Sequence, residues 1–314
     1  MNIWQSLTKE HLYLEFSATK EMQAFIYERP GLWMSQTDLA LLVENLHTVA
    51  GKSLPDSALR YGVLGGDKDR LSNCIITLVR NREDDAPIAF NVLSLMPLQL
   101  HGEPIEVIHL GLVLVDPGVR SKGLSWILYG LTCVMLYMRG GLRTIWISNV
   151  TQVPAIIGLV AKGLSNTYPG LSSNRRSFEH TAIARQIMAA HRDVFGVGAD
   201  AVFDEERFVI QNAYTGGSDD LKKTFEECTK HRDPDFNEFC ERELDYVRGD
   251  DFLQIGQLSL GAARSYIMSQ VPRRSLSALL ATFAFMLVQS VVLPIVHWFD
   301  ASRPYKTLRP SRPS

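Results

Sequence analysis

Between Cys74 and Val115 three apolar, β-branched runs follow one another with very little chain between them, and this leaves few folds open. Cys74–Arg80 (CIITLVR) and Pro87–Met96 (PIAFNVLSLM) are separated only by the charged stretch Asn81–Asp85, so the spacing predicts an antiparallel hairpin. Ile105–Val115 (IEVIHLGLVLV) is the longest run and stops at Asp116-Pro117-Gly118, a strong turn signal. Gly123–Met138 then runs for sixteen residues without a charge. A bilayer needs about 20, so this segment predicts a helix buried against the sheet. Arg143–Asn149 (RTIWISN) reads as a further strand, and Thr151–Lys162 as a helix with Pro154 in its first turn and Gly163 as its stop. This order is α/β, and its consecutive antiparallel strands exclude a doubly wound parallel sheet.

The flanks read as helical. Residues 36–50 predict a helix with Ser35 as N-cap, Asp38 as its partner acid and Leu39, Leu41, Leu42, Val43 and Leu46 as an apolar stripe; Gly51 stops it. Asn166–Arg176 reads as loop, Glu179–His191 as helix and Arg207–Tyr214 as strand. Ser218 is expected to cap a helix to about Lys230, with further helices over Asp235–Val247 and Asp251–Met268. The expected organisation is a helical extension over 1–59, a core over 60–215 and a second helical extension over 216–274. A hydrophobic segment over 275–299 and a basic, Pro-rich tail over 300–314 complete it.

Charge is unevenly placed. The chain is 46% hydrophobic and carries a net charge of −2. The tail holds Arg303, Lys306, Arg309 and Arg312 against Asp300, so the body is acidic and offers no basic stripe for nucleic acid. Ser275–Phe299 has no Asp, Glu, Lys or Arg over 25 residues; as a helix it would span roughly 37 Å against a hydrocarbon core of about 30 Å. It is expected to be a membrane anchor. A full span would export the basic tail, against the positive-inside bias, whereas a Pro294-bent or shallow anchor keeps both flanks on one side and lets the tail meet anionic lipid. A buried helix or a contact between copies is the third reading. The N-terminus, with Trp4, Lys9, Glu10 and His11, has no apolar leader, so the expectation is a reduced, intracellular chain with four unpaired thiols. Cys228, His231 and Cys240 match no zinc spacing, so no metal is expected.

The stretch Leu112–Ser125 (LVLVDPGVRSKGLS) carries the chemistry. A strand runs through a turn into a basic, glycine-containing loop and a helix start, where unpaired N–H groups and the positive end of the macrodipole favour a phosphate. It lacks the GxxxxGK[ST] and GxGxxG patterns, so it is neither a P-loop nor a dinucleotide loop. It resembles the acyl-CoA-binding motif of the GNAT superfamily of N-acetyltransferases. That family's V-x-V-x-P strand matches Val113, Leu114, Val115, Asp116 and Pro117. Its Arg/Gln-x-x-Gly-x-Gly/Ala loop matches Arg120, Ser121, Lys122, Gly123, Leu124 and Ser125, with serine at the last small position. Lys162-Gly163-Leu164 resembles the ending of the family helix that flanks the acyl-CoA, and the likeness covers about residues 60–215.

The resemblance implies a GNAT-like, mainly antiparallel sheet flanked by helices and a direct transfer of an acyl group from acetyl-CoA or a longer acyl-CoA to an amine. The loop 120–125 would hold the pyrophosphate and Val113 and Val115 the pantetheine strand edge. Asn149 resembles the polar residue that bonds the cofactor arm. Where family members carry a glutamate base eleven residues before the loop arginine, this chain has His109; Glu106 points to the other face of the strand. The family's general-acid tyrosine falls on Leu159, which leaves Tyr168 or solvent to protonate the thiolate. The expectation is therefore a membrane-associated acyltransferase with its catalytic domain in the cytoplasm. The two rivals are a long-chain acyltransferase using acyl-CoA or acyl carrier protein, and a non-catalytic acyl-CoA-binding or scaffold protein.

Overall fold

The computed structural model describes residues 11–55, 59, 62–122, 124, 128, 132–139, 143–171, 175–216, 218–259, 261–262, 284, 288 and 292–299. They form a mixed α/β fold around a ten-stranded, mainly antiparallel sheet flanked by helices. Strands β1 (Tyr13–Ser17), β2 (Met22–Glu28), β3 (Cys74–Asn81), β4 (Pro87–Leu100), β5 (Glu103–Val115) and β6 (Ile145–Thr151) lie side by side in chain order. After β6 the order runs to β10 (Asp251–Leu258), then β9 (Val209–Gln211) and β8 (Val202–Asp204), while β7 (Ser165–Tyr168) also pairs with β10.

The expected hairpin is present: Arg80 faces Pro87 and Cys74 faces Ser94 across β3 and β4. Helix α1 (Gln36–Ala50) is capped as its sequence requires. Ser35 Oγ accepts from the Asp38 N–H at 3.2 Å and donates to Asp38 Oδ2 at 2.7 Å. It buries Leu39, Leu42, Leu46 and Val49 against β3, β4 and β5; Leu41, expected in that stripe, lies a fifth of a turn off it and is exposed. Helix α2 (Thr132–Arg139) supplies Cys133, Leu136 and Tyr137 to the opposite face of the sheet. Helix α3 (Pro154–Gly163) and helix α5 (Pro234–Glu243) pack with Phe252 of β10, and helix α4 (Phe178–Ala190) covers β4 and β10. Helix α6 (Leu293–Phe299) lies within the hydrophobic segment and exposes Ile295, Trp298 and Phe299. No helix among the described residues is long and apolar enough to cross a membrane; most of 275–299 and all of 300–314 lie outside them.

Three readings of the sequence are corrected. The described part of 1–59 is not helical throughout: Tyr13–Ser17 and Met22–Glu28 form an edge hairpin, with Met22 facing Asn81 and Glu28 facing Ile75 of the central sheet. The alternation in MQAFIYE is that of a strand. The first part of the helix expected over Asp251–Met268 is instead strand β10, Asp251–Leu258. Asp251, Gln254 and Gln257 recur every three residues and imitate a helix face; the strand is buried on both sides, where a period of two disappears. The helix expected from Ser218 to Lys230 is only the short 3₁₀ turn Asp219–Leu221 followed by irregular chain. Smaller differences follow the same pattern. Ser165–Tyr168 pairs as a strand where a loop was expected, and α5 ends at Glu243.

The position of the site depends on one irregularity. Leu110 faces Leu93 and Val113 faces Asn91, so Gly111 and Leu112 together oppose Val92. This bulge resets the alternation of β5. Ile108, Leu110, Val113 and Val115 all reach the core under α2, while Leu112 and Leu114 reach the one under α1. A Cβ on Gly111 would sit 2.8 Å from the Val92 carbonyl oxygen, so only glycine fits. Gly111→Ala is expected to destabilise the fold by about 1–3 kcal/mol, read as a lower urea midpoint with an unchanged slope.

Candidate functional site

β5 and β6 are the only parallel neighbours among the described strands, and they register over three pairs: Ile108–Ile147, His109–Ser148 and Leu110–Asn149. Beyond Leu110, β5 carries the bulge and stays paired with β4 alone, while β6 continues against β10 through Val150 and Thr151. The two strands therefore part, and a cavity of about 690 Å³ opens where they separate. Its walls include Gly111, Leu112 and Leu114 of β5, Asn149–Thr151 of β6 and Asp251 of β10. Residues of the turns around Leu54, Val63, His191 and Phe195 close it from the side of α1 and α4. Arg70 and Asp193, both in the lining, meet across it at 3.4 Å. This ion pair is largely exposed and adds little to stability.

His109 lies in this cavity and is buried. Its Nδ1 sits 3.1 Å from Ser148 Oγ, and its ring packs 5.0 Å from that of Phe195. Burial lowers its pKa to about 4, so the imidazole is neutral at pH 7 and is a weaker proton acceptor than an exposed histidine. Asn149 also lines the cavity, but its amide N–H donates to Gln254 Oε1 at 3.2 Å, and Gln254 is itself held by the Ile157 and Pro169 carbonyls. Glu106, on the other face, pairs with Arg29.

Tyr168 is not brought to the site. Its hydroxyl donates to the Glu206 carbonyl at 2.9 Å, its ring packs edge-on against Phe208, and burial raises its pKa. Val113 and Val115 lie on the strand edge beyond the bulge with their side chains in the core that holds the buried Leu124. Backbone of Arg120, Ser121 and Lys122 belongs to the 3₁₀ turn Pro117–Lys122 that follows β5; their side chains, and the whole of Gly123 and Ser125, lie outside the described residues. All four cysteines are buried thiols, and His231 packs against Phe236 and Gly158 rather than joining Cys228 and Cys240 in a ligand set.

The structure adds a group that the helical reading of 251–268 concealed. Asp251 opens β10, is 5% exposed and lines the cavity. Tyr214, from the turn Ala213–Thr215, donates to Asp251 Oδ1 at 2.9 Å. Burial pushes the Asp251 carboxyl up to about 7, the Tyr214 hydrogen bond pulls it down, and the Asp250 charge raises it. The sequence carried little signal for it, because Asp251, Gln254 and Gln257 recur every three residues in a strand covered on both faces.

No protein-family model matches this chain, and no curated protein matches it.

The two buried groups make opposite demands on pH. His109 titrates near 4 when folded and near 6.5 when unfolded, so the native state binds fewer protons between them and loses stability as pH falls through that window. Asp251 titrates near 7 when folded and 3.8 when unfolded, so the native state binds more protons and loses stability as pH rises. Each effect is on the order of 3 kcal/mol. Urea melts between pH 4.5 and 7 are expected to show that acidification costs Asp251→Asn more than the parent and His109→Gln less; parallel curves would contradict both assignments.

Proposed function

We propose that this chain is an acyl-CoA-dependent N-acyltransferase of the GNAT type, attached to a membrane by its C-terminal segment. The observation that carries the reading is the parting of β5 from β6. Beyond Leu110, β5 has no partner in β6, so the backbone of this internal edge faces a cavity. A pantetheine arm is an extended chain with two amides. Such a ligand pairs with an open strand edge as an added strand would, and the walls select what hangs from it. The turn at Asp116–Gly118 and the basic, glycine-containing stretch Arg120–Ser125 follow directly at the open end of β5, where the sequence favours a pyrophosphate. The acyl group would then lie in the cleft at the height of His109, with the amine entering beside it.

The thioester carbonyl is attacked by the neutral amine; the new N–C bond forms as the C–S bond breaks, and the thiolate leaves with a proton as free CoA. His109, neutral, offers the cleft a polar wall rather than a strong base.

The apolar part of the lining, Val92, Leu112, Leu114, Val153 and Ile156, favours a longer acyl chain over acetyl as the second reading. Acetyl-CoA and palmitoyl-CoA are therefore compared. Ligand at about 100 times its Kd is expected to add about 2.7 kcal/mol of stability, seen as a raised Tm, and Gly123→Asp to abolish the shift. No shift with either thioester overturns the proposal. Binding without thiol release on an amine library supports the non-catalytic rival. Removal of residues 275–314 is expected to release the protein from anionic liposomes in a flotation assay.

A further inference from the structure

Two adjacent carboxylates stand at the start of β10, and the chain treats them differently. Asp250 is fully buried and fully engaged. Arg248 donates to both of its oxygens, at 2.7 and 2.6 Å, and the backbone N–H groups of Asn212 and Asp245 add two further bonds. Asp251 receives no such support. Among the described residues its side chain makes one hydrogen bond, from Tyr214, and no cation pairs with it, yet it faces the cavity in which the acyl transfer is placed. A buried carboxylate left without a cation is costly, and a cationic ligand or a proton supplies what is missing.

The surroundings of Tyr214 fit a carboxyl that changes its proton. The backbone of Lys223 fixes the Gln152 amide: with the Lys223 N–H on its oxygen at 2.8 Å and its NH₂ on the Lys223 carbonyl at 3.2 Å, that oxygen also lies 2.9 Å from the Tyr214 hydroxyl. The hydroxyl thus has two acceptors at equal distance, Asp251 Oδ1 and Gln152 Oε1. When Asp251 is ionised, the tyrosine proton points to Asp251. When Asp251 is protonated, it donates to the tyrosine oxygen and the tyrosine proton turns to Gln152. Either state of the carboxyl is satisfied without moving a heavy atom.

We infer that Asp251 is the proton acceptor for a cationic primary or secondary amine bound in this cavity, with Tyr214 as the positioning residue; the inference rests on the acyltransferase reading above. The ammonium nitrogen gives one proton to the Asp251 carboxylate and becomes the neutral nucleophile. It attacks the thioester, the C–S bond breaks, the nitrogen's second proton leaves with the thiolate as free thiol, and Asp251 returns its proton to solvent. Besides the Asp250–Arg248 pair, the titratable and charged groups around Asp251 are Tyr214, Lys223 and Asp220 in the lining, His109 from β5, and Cys228 and Tyr246, whose charges couple to it.

The test has two arms on the full chain. Infrared difference spectra, parent minus Asp251→Asn, are expected to show a protonated-carboxyl band that disappears as pH rises through about 7, and Tyr214→Phe to move that midpoint upward. In the second arm, thiol release is followed with acetyl-CoA and palmitoyl-CoA and three probe amines: n-butylamine, spermidine and N-acetyl-lysine amide. Asp251→Asn is expected to slow turnover about 100-fold or more while keeping the thermal shift with acyl-CoA, and Tyr214→Phe to move the acid limb of the rate profile upward. A carboxyl ionised throughout, parent-like turnover in Asp251→Asn, or a protein that binds acyl-CoA but accelerates none of the three amines overturns the inference and leaves the acyl-CoA reading standing. Failure of both thioesters to bind, with the carboxyl band still titrating near neutrality, overturns the acyltransferase reading instead.

Discussion

The fold turns on the brevity of the parallel contact between β5 and β6. Three registered pairs hold the strands together and then Gly111 places one extra residue in β5. The bulge does two things at once. It restores the alternation of β5, so that Val113 and Val115 still fill the core under α2, and it bends the strand away from β6, so that the sheet opens without exposing that core. An alanine could not do this, because its Cβ would meet the Val92 carbonyl. The cavity, its apolar walls and the polar groups at its apex all follow from that one backbone event.

Burial at the parting of the strands sets the chemistry of those polar groups. Low dielectric penalises the charged form of whatever lies there, so the histidine is driven toward neutrality and the carboxyl toward its protonated form. Asp250 shows what the chain does when a buried carboxylate serves structure: a bidentate arginine and two backbone donors surround it. Asp251, one residue on, has a tyrosine and a cavity. That contrast within a dipeptide separates a carboxylate held by an arginine and backbone donors from one that faces a cavity.

Much of the central sheet was legible because its signals are local. The β3–β4 hairpin, the end of β5 at Asp116–Gly118, the cap at Ser35 and the proline at the start of α3 each depend on neighbours in sequence. The edge hairpin β1–β2 was missed because its burial comes from a partner strand about fifty residues away. Strand β10 was missed because both of its faces are covered, one by Leu253 and Ile255 against α4 and the other by Phe252 against α3 and α5, so no period of two survives. Of the candidate residues read from the sequence, His109 and Asn149 line the cavity, whereas the Tyr168 hydroxyl donates to the Glu206 carbonyl.

The amino-acid sequence by itself determined the strand-rich core, the turn and basic loop after β5, the acidic body with its basic tail and the uncharged segment between them. Each is a matter of residue type over a short window. Only the tertiary structure decided that β5 and β6 run parallel for three pairs and part, and that the resulting cleft gathers His109, Tyr214, Gln152 and Asp251 from four distant stretches of chain. The physical reason is that burial and electrostatic environment are properties of what packs around a side chain. An aspartate reads the same at 250 as at 251 until the fold gives one an arginine and the other a cavity.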